Sequence, residues 1–410
     1  MKKLSTLIIC TLAALSFLAG CQSTQLDTAE EAARIAQNSI IIDTHIDVPY
    51  RLFRQTADVS QATPTGEFDY VRAKLGGLNA PFMSIYIPAA VDEAGGAFGF
   101  AEAAISGLEK LALVHPSKFA MASCSADVIK QFDRGVVSLP MGMENGGPIA
   151  GKITNLEHFY NRGIRYITLT HSKSNHISDS SYDPNERWCG LSDFGKSLIG
   201  EMNRLGVMVD VSHISDLAFW QVMELSKVPV IASHSSLRHF TPGFHRNMND
   251  EMIKALAENG GVIQINYGSS FIHQAAQDYS AARGAAVKAY QTERHLPDQH
   301  PALARFRDKY TAENPYPFAD ISDVLDHIDR AVEIAGIDAV GIGSDYDGVG
   351  DSLPTGLKDV STYPNLVQGL LERGYSEADI KKILGENTLR VWRAVEEYAT
   401  QRGTQLRCSS

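Results

Sequence analysis

Residues 207–234 read VMVDVSHISDLAFWQVMELSKVPVIASH, and the architecture follows from how this stretch is punctuated. Val207 to Ser212 is a short, near-continuous apolar run, the signature of a strand covered on both faces. Ser215 then stands where a helix start needs a side-chain acceptor, and the segment through Leu225 reads as that helix. Val228 to Ser233 repeats the apolar run. Strand, helix, strand is a right-handed βαβ unit, and each strand hands over to a histidine, His213 and His234.

The same pattern accounts for eight runs along the chain: Ile40 to Asp43, Phe82 to Ile87, Val136 to Met143, Ile164 to Thr170, Val207 to Ser212, Val228 to Ser233, Val262 to Asn266 and Ala339 to Ser344. Helix signals lie between them. Thr154 and Glu157 have the spacing of a capping box before Phe159, and Asn249 precedes 251–258, which Gly260 and Gly261 stop. Eight alternations favour an α/β chain closed into a (β/α)8 TIM barrel over an open sheet. Residues 51–80 and 268–320 exceed a plain connection and are expected to hold inserted helices or a lid.

Bulk properties bound the function. The formal charge is −11, and no basic run reverses it, which argues against nucleic acid as a partner. Lys2 and Lys3, the apolar stretch Leu7 to Leu18 and Leu18-Ala19-Gly20-Cys21 form a secretory signal ending in a lipobox, too short to span a membrane permanently. Residues 1–20 are therefore expected to be a removed signal peptide, 21–38 an N-terminal tether and 39–402 the catalytic barrel. Cys21 is the expected lipidation site, so the protein is expected in the cell envelope. Gln22 in place of Asp permits onward transfer, so the outer membrane, facing the periplasm, is the expected location. Cys124, Cys189 and Cys408 remain after processing; one disulfide is allowed, at least one thiol stays free, and the pairing is open.

In such a barrel the chemistry sits where strands end, so the polar residue closing each run matters most. The first run ends in Asp43-Thr44-His45-Ile46-Asp47, the third in Glu144, the next three in His171, His213 and His234, and the last in Asp345. A lone histidine after a strand is usually structural; several histidines and carboxylates at equivalent ends point to a metal, which removes the cost of burying them. His45 and Asp47, two apart on extended backbone, share a side and form a first ligand pair. His213 and His234 form a second, and Glu144 has two oxygens with which to bridge. Imidazole and carboxylate without thiolate suit Zn2+, two ions per chain, with Mn2+ or Co2+ as substitutes. Two such ions can share a hydroxide and polarise a carbonyl, and Asp345 could then shuttle the proton.

These residues resemble the renal, or membrane, dipeptidase family of zinc hydrolases among the amidohydrolase-like barrels. The similar segments are IIDTHIDVPYRL at 41–52, MGMENGGPI at 141–149, GIRYITLTHS at 163–172, 190–216, VPVIASHSSLR at 228–238, 245–267 and VGIGSDYDG at 340–348. The resemblance implies the same five metal ligands, His45, Asp47, Glu144, His213 and His234. It places His171 beside the substrate carbonyl, Asp345 as acid and base, and Arg246 as the grip on the substrate's terminal carboxylate. The family's cysteine after the TLTH histidine is absent here, where Lys173 stands, so that disulfide does not carry over. The expected activity is hydrolysis of dipeptides, L-Xaa-L/D-Xaa, by a hydroxide bridging two zinc ions. Its rivals are an amidohydrolase acting on N-acyl amino acids or lactams, and a non-catalytic lipid-anchored binding protein. The resemblance also admits a homodimer, which no exposed apolar stripe demands.

Overall fold

The computed structural model describes residues 27–409, so the signal segment, the lipobox and Cys21 lie outside the described residues. Ten strands are present among the described residues: β1 Ile41–Ile46, β2 Leu78–Tyr86, β3 Phe119–Met121, β4 Val137–Leu139, β5 Met141–Glu144, β6 Ile164–Thr168, β7 Met208–Asp210, β8 Ile231–Ser235, β9 Val262–Ile265 and β10 Val340–Ile342. Eight close a barrel in the order β1-β10-β9-β8-β7-β6-β5-β2, every pairing parallel. This is the expected (β/α)8 barrel. The helices Asp193–Leu205, Asp216–Leu225 and Asp250–Glu258 connect successive strands, and Ser215 and Asn249 cap the last two by accepting from Ala218 N and Met252 N.

Alternating side chains divide the strands between two cores. Ile42, Ala80, Phe82, Tyr166, Met208, Ile231 and Val262 fill the barrel interior, with Trp392 of the helix Asn387–Gln401 closing it. Phe82 packs 5.4 Å from Tyr166 and 5.1 Å from Trp392, centroid to centroid. Gly142 on β5 makes room for the Tyr166 ring, which an added Cβ would overlap. That clearance lets a β6 tyrosine reach across to β1.

Four local expectations change. The run Val136 to Met143 is two strands, not one. Pro140 has no N–H to continue a ladder, so β4 pairs with β3 in a separate two-stranded sheet and β5 alone enters the barrel. The helix Ile153–Asn161 starts behind Lys152 without a side-chain cap, so Thr154 lies inside it; Glu157 instead accepts from Arg204 Nη2 at 2.9 Å. Residues Thr28–Asn38, expected as part of a tether, form a helix whose Ala32, Ile35 and Ala36 are buried, because its small apolar face packs on the helix Tyr363–Glu372. The chain also stays attached beyond 402: Cys408 is disulfide-bonded to Cys124, and Ser409 N donates to Asp127. Cys189 is free and exposed.

The long stretch 268–320 carries the helices Ser269–Ile272, Gln274–Glu293 and Pro301–Glu313. Only Ala276 and Leu303 are buried in the two longer ones, which meet through Tyr290 stacked 4.3 Å from Phe306. No helix among the described residues is long and apolar enough to cross a membrane.

Candidate metal centre

Strand ends converge as the barrel demands. His45 lies in β1 with Asp47 just beyond it, Glu144 closes β5, His234 lies in β8, His213 follows β7 and Asp345 follows β10. All six are at most 8% exposed. Glu144 stands at the centre with its two oxygens divided. Oε2 lies 3.4 Å from His45 Nε2, while Oε1 lies 3.1 Å from His213 Nε2, 3.3 Å from His234 Nε2 and 3.6 Å from His171 Nε2. His45 Nε2 is also 3.6 Å from Asp47 Oδ2. Three sets have ligand atoms all within 4.8 Å of one another: His45, Glu144 and His234; His45, Asp47 and Asp345; Glu144, His171 and His213. Cys124, Asp127 and Cys408 cluster similarly, but the disulfide removes both thiolates.

The hydrogen bonds behind two histidines set which nitrogen faces the centre. Tyr166 Oη donates its single proton to the Thr44 carbonyl at 2.9 Å, so toward His45 Nδ1, also at 2.9 Å, it accepts. Nδ1 therefore carries a proton, which leaves Nε2 as the nitrogen able to offer a lone pair to a cation. Ser233 repeats the device. Its Oγ donates to Asp210 Oδ2 at 2.6 Å and accepts from His234 Nδ1 at 2.8 Å, which again frees Nε2. Such outer partners are what orient metal-binding histidines. His213 Nε2 and His234 Nε2 meet at 2.8 Å, two imidazole nitrogens directed at one place. His45 Nε2 and Asp47 Oδ1 are buried with no hydrogen-bond partner. Unanswered donor atoms of nitrogen and oxygen, closely converging and without sulfur, fit a divalent cation of the zinc type.

Electrostatics agree. Burial lowers the His45 pKa, but Tyr166, Glu144 and Asp47 overcome it and hold the imidazole well above its ordinary value. Burial raises Glu144, and His45 and His171 overcome that in turn, keeping the carboxylate ionised. Positive charge is thus favoured between His45 and Glu144, a demand that a proton or a metal cation can answer. Burial holds His213 and His234 well below the ordinary histidine value, which keeps their nitrogens neutral. Asp345 is raised to about 7, first by burial, with His45 opposing and the charges of Asp47 and Glu144 adding. His213 and Asp345 both have left-handed backbone, φ 71° and 63°, which non-glycine residues adopt only where surrounding contacts enforce it. For Asp345 those contacts are visible: its N–H donates to the His45 carbonyl at 3.1 Å, and Asp47 N–H donates to the Tyr346 carbonyl at 2.9 Å.

A cleft of ≈ 940 Å³ opens over the centre, lined by Asp47, Glu144, His171, His213 and Asp345. His171 stands at its wall, its pKa lowered chiefly by burial against the pull of Glu144. Arg246 is 3% exposed and lies just behind the cleft wall, its guanidinium carbon 5.5 Å from the ring of Phe271, which lines the cleft. Its Nη1 donates to Ser235 Oγ at 2.8 Å and Nη2 to the His234 carbonyl at 2.7 Å, while Nε has no acceptor. The sequence reading missed several residues here. Tyr86 ends β2 and lines the cleft, edge-on to His171 at 4.8 Å. Asn266, just past β9, donates from Nδ2 to Asp345 Oδ2 at 2.8 Å. Applying the strand-end rule to the seventh run would have found Asn266, whereas Tyr86 stands one residue inside the second run, which closes at Ile87. Tyr182 joins from a loop that carried no such signal. Asp347 belongs to a buried cluster, accepting from Arg51 Nη1 at 2.9 Å and Glu67 N at 2.7 Å.

Known proteins share this fold. Residues 29–406 match the family described as membrane dipeptidase (peptidase family M19). The fold is similar to the probable dipeptidase PvdM from Pseudomonas aeruginosa, 27% identical over 91% of this chain and 99% of that one, TM-score 0.77. It is also similar to a metallo peptidase from Rhodobacter sphaeroides liganded with a phosphinate mimic of the dipeptide L-Ala-D-Ala, 25% identical over 87% of this chain and 100% of that one, TM-score 0.71. A match over nearly the whole chain, with histidine and carboxylate ligands gathered at the barrel mouth, means that this protein belongs to the membrane dipeptidase family of metallo-dipeptidases.

Proposed function

We propose that the protein is a dinuclear zinc dipeptidase. The observation that carries this reading is the division of Glu144: one oxygen faces His45, and the other faces His213 and His234. His45 and Asp47 would hold one zinc ion and His213 and His234 the second, with Glu144 shared between them; manganese or cobalt suits the same donors. When bound, the pair lowers the pKa of a shared water and polarises the scissile carbonyl.

The chain's own groups do the rest. Asp345, raised to about 7, takes a proton from the water and returns it to the departing amine. Asn266 holds its carboxylate in place, since Asn266 Oδ1 already accepts from Gly268 N and only Nδ2 is left for Asp345. His171, kept neutral by burial, presents an N–H to the developing oxyanion. Arg246 is the partner for the substrate's terminal carboxylate, offering the Nε–H that has no acceptor in the protein. A clamp on that carboxylate limits the substrate to two residues. The phosphinate mimic of L-Ala-D-Ala on the Rhodobacter sphaeroides relative supports a D-residue at the second position beside the L-form.

Elemental analysis and a substrate panel test this. We expect two zinc ions per chain and cleavage of L-Ala-L-Ala and L-Ala-D-Ala, with the corresponding dipeptide amides poor. One ion per chain, or amides cleaved as fast as free acids, would refute the two-ion site or the role of Arg246. N-acyl amino acids and lactams belong in the same panel, as the rival substrates for these residues. The same reading makes Cys21 the lipid anchor and the outer membrane, facing the periplasm, the location; recovery only with inner membranes would overturn it.

A further inference from the structure

The cleft wall that follows β1 carries two arginines on one short helix, Val48–Arg54. Their surroundings differ. The Arg51 side chain is 10% exposed and its charge is already answered: Nη1 donates to Asp347 Oδ1 and Nη2 to the Phe68 carbonyl, both at 2.9 Å. Arg54 is exposed and forms no salt bridge among the described residues. Its guanidinium carbon lies 6.0 Å from the Tyr50 ring centroid, and Tyr50 itself is held edge-on by Tyr86 at 5.0 Å. All three aromatic and cationic groups line the cleft.

The charges of the lining can be matched one against another. Asp47, Glu144 and Asp345 gather at the metal centre, and Asp347 answers Arg51. Arg54 is then the one lining arginine without an anion, in a chain whose formal charge is −11. An unpaired guanidinium, seated beside an aromatic ring at the mouth of a substrate cleft, is complementary to a carboxylate brought by the ligand. We infer that Arg54 is a specificity determinant that selects dipeptides bearing an acidic side chain. This rests on the dipeptidase reading and adds a second anionic contact, on a different wall from Arg246, which is anchored at the end of β8.

The test is a comparison of isosteric pairs, L-Glu-L-Ala with L-Gln-L-Ala and L-Ala-L-Glu with L-Ala-L-Gln, using the zinc-loaded full chain. In one pair the wild type should cleave the acid about fivefold better in kcat/KM, the size expected of a partly exposed charge pair. The preference should sit in KM and shrink as KCl is raised. Arg54→Gln should bring the ratio to about one, and Arg54→Glu should invert it. A ratio near one in both wild-type pairs, or a ratio unchanged in both variants, overturns the assignment of Arg54. No turnover of any of the four by zinc-loaded wild type overturns the dipeptidase reading and this assignment with it.

Discussion

Replacing Tyr166 by Phe removes one oxygen and keeps the ring that packs 5.4 Å from Phe82, so no cavity opens in the barrel. What is lost is the acceptor 2.9 Å from His45 Nδ1. His45 is 0% exposed, so water cannot replace it. An unpaired buried donor costs about 1–3 kcal/mol, and the imidazole can avoid that cost by moving its proton to Nε2. Nε2 faces Glu144 Oε2 at 3.4 Å, which would welcome the proton. The tautomer that binds metal would then have to be restored at a cost of about 1–3 kcal/mol, a factor of roughly 5–150 in affinity. Chelator competition on zinc-stripped protein reads this directly. Wild type should show two tight sites; Tyr166→Phe should weaken one by about 10–100-fold, in line with the usual effect of removing a ligand's outer partner. Ser233→Ala should weaken the other through His234, since Ser233 Oγ accepts from His234 Nδ1. If both zinc affinities in Tyr166→Phe stayed within about twofold of wild type while the fold was retained, the tautomer argument would be wrong.

Other perturbations follow from the same geometry. At Gly348 an added Cβ would overlap both Asp345 Oδ1 and Asp47 Oδ2, so Gly348→Ala should abolish dipeptide hydrolysis while circular dichroism shows an intact barrel. Glu67 is raised to about 8 by burial, with Asp347 adding to it. The folded protein therefore binds a proton there that the unfolded chain, at an ordinary carboxylate pKa, has lost. Its cost to stability grows as pH rises from about 4 to about 8, so the melting temperature of Glu67→Gln relative to wild type should climb over that window; a pH-independent difference would refute it. Cys124→Ser removes the link to Cys408, 284 residues away, and should cost about 2–5 kcal/mol, seen as a lower melting temperature that reductant no longer changes.

Much of the centre was legible because the barrel ties function to position. A residue closing an apolar run must sit at the carboxyl mouth, so His45, Asp47, Glu144, His213, His234 and Asp345 could be picked by their place in the pattern. Tyr166 and Ser233 were not legible in the same way. Each lies within a strand, and its role rests on which partner takes its hydroxyl proton, Thr44 in one case and Asp210 in the other. The burial of Arg246 was hidden too, because it depends on the loop after β8 returning the side chain to His234 and Ser235 of that strand.

By itself the order of residues determined the strand–helix alternation, the donor types available to a metal and the strand ends where they stand, since each depends on near neighbours: side-chain period, capping and the lengths of apolar runs. Only the tertiary structure decided that Pro140 splits one run between two sheets, that Cys124 meets Cys408, that Thr28–Asn38 packs as a helix, and that Arg51 is answered while Arg54 is not. Those outcomes depend on contacts between segments tens to hundreds of residues apart. Their energies come from burial and pairing in three dimensions, which local pattern does not encode.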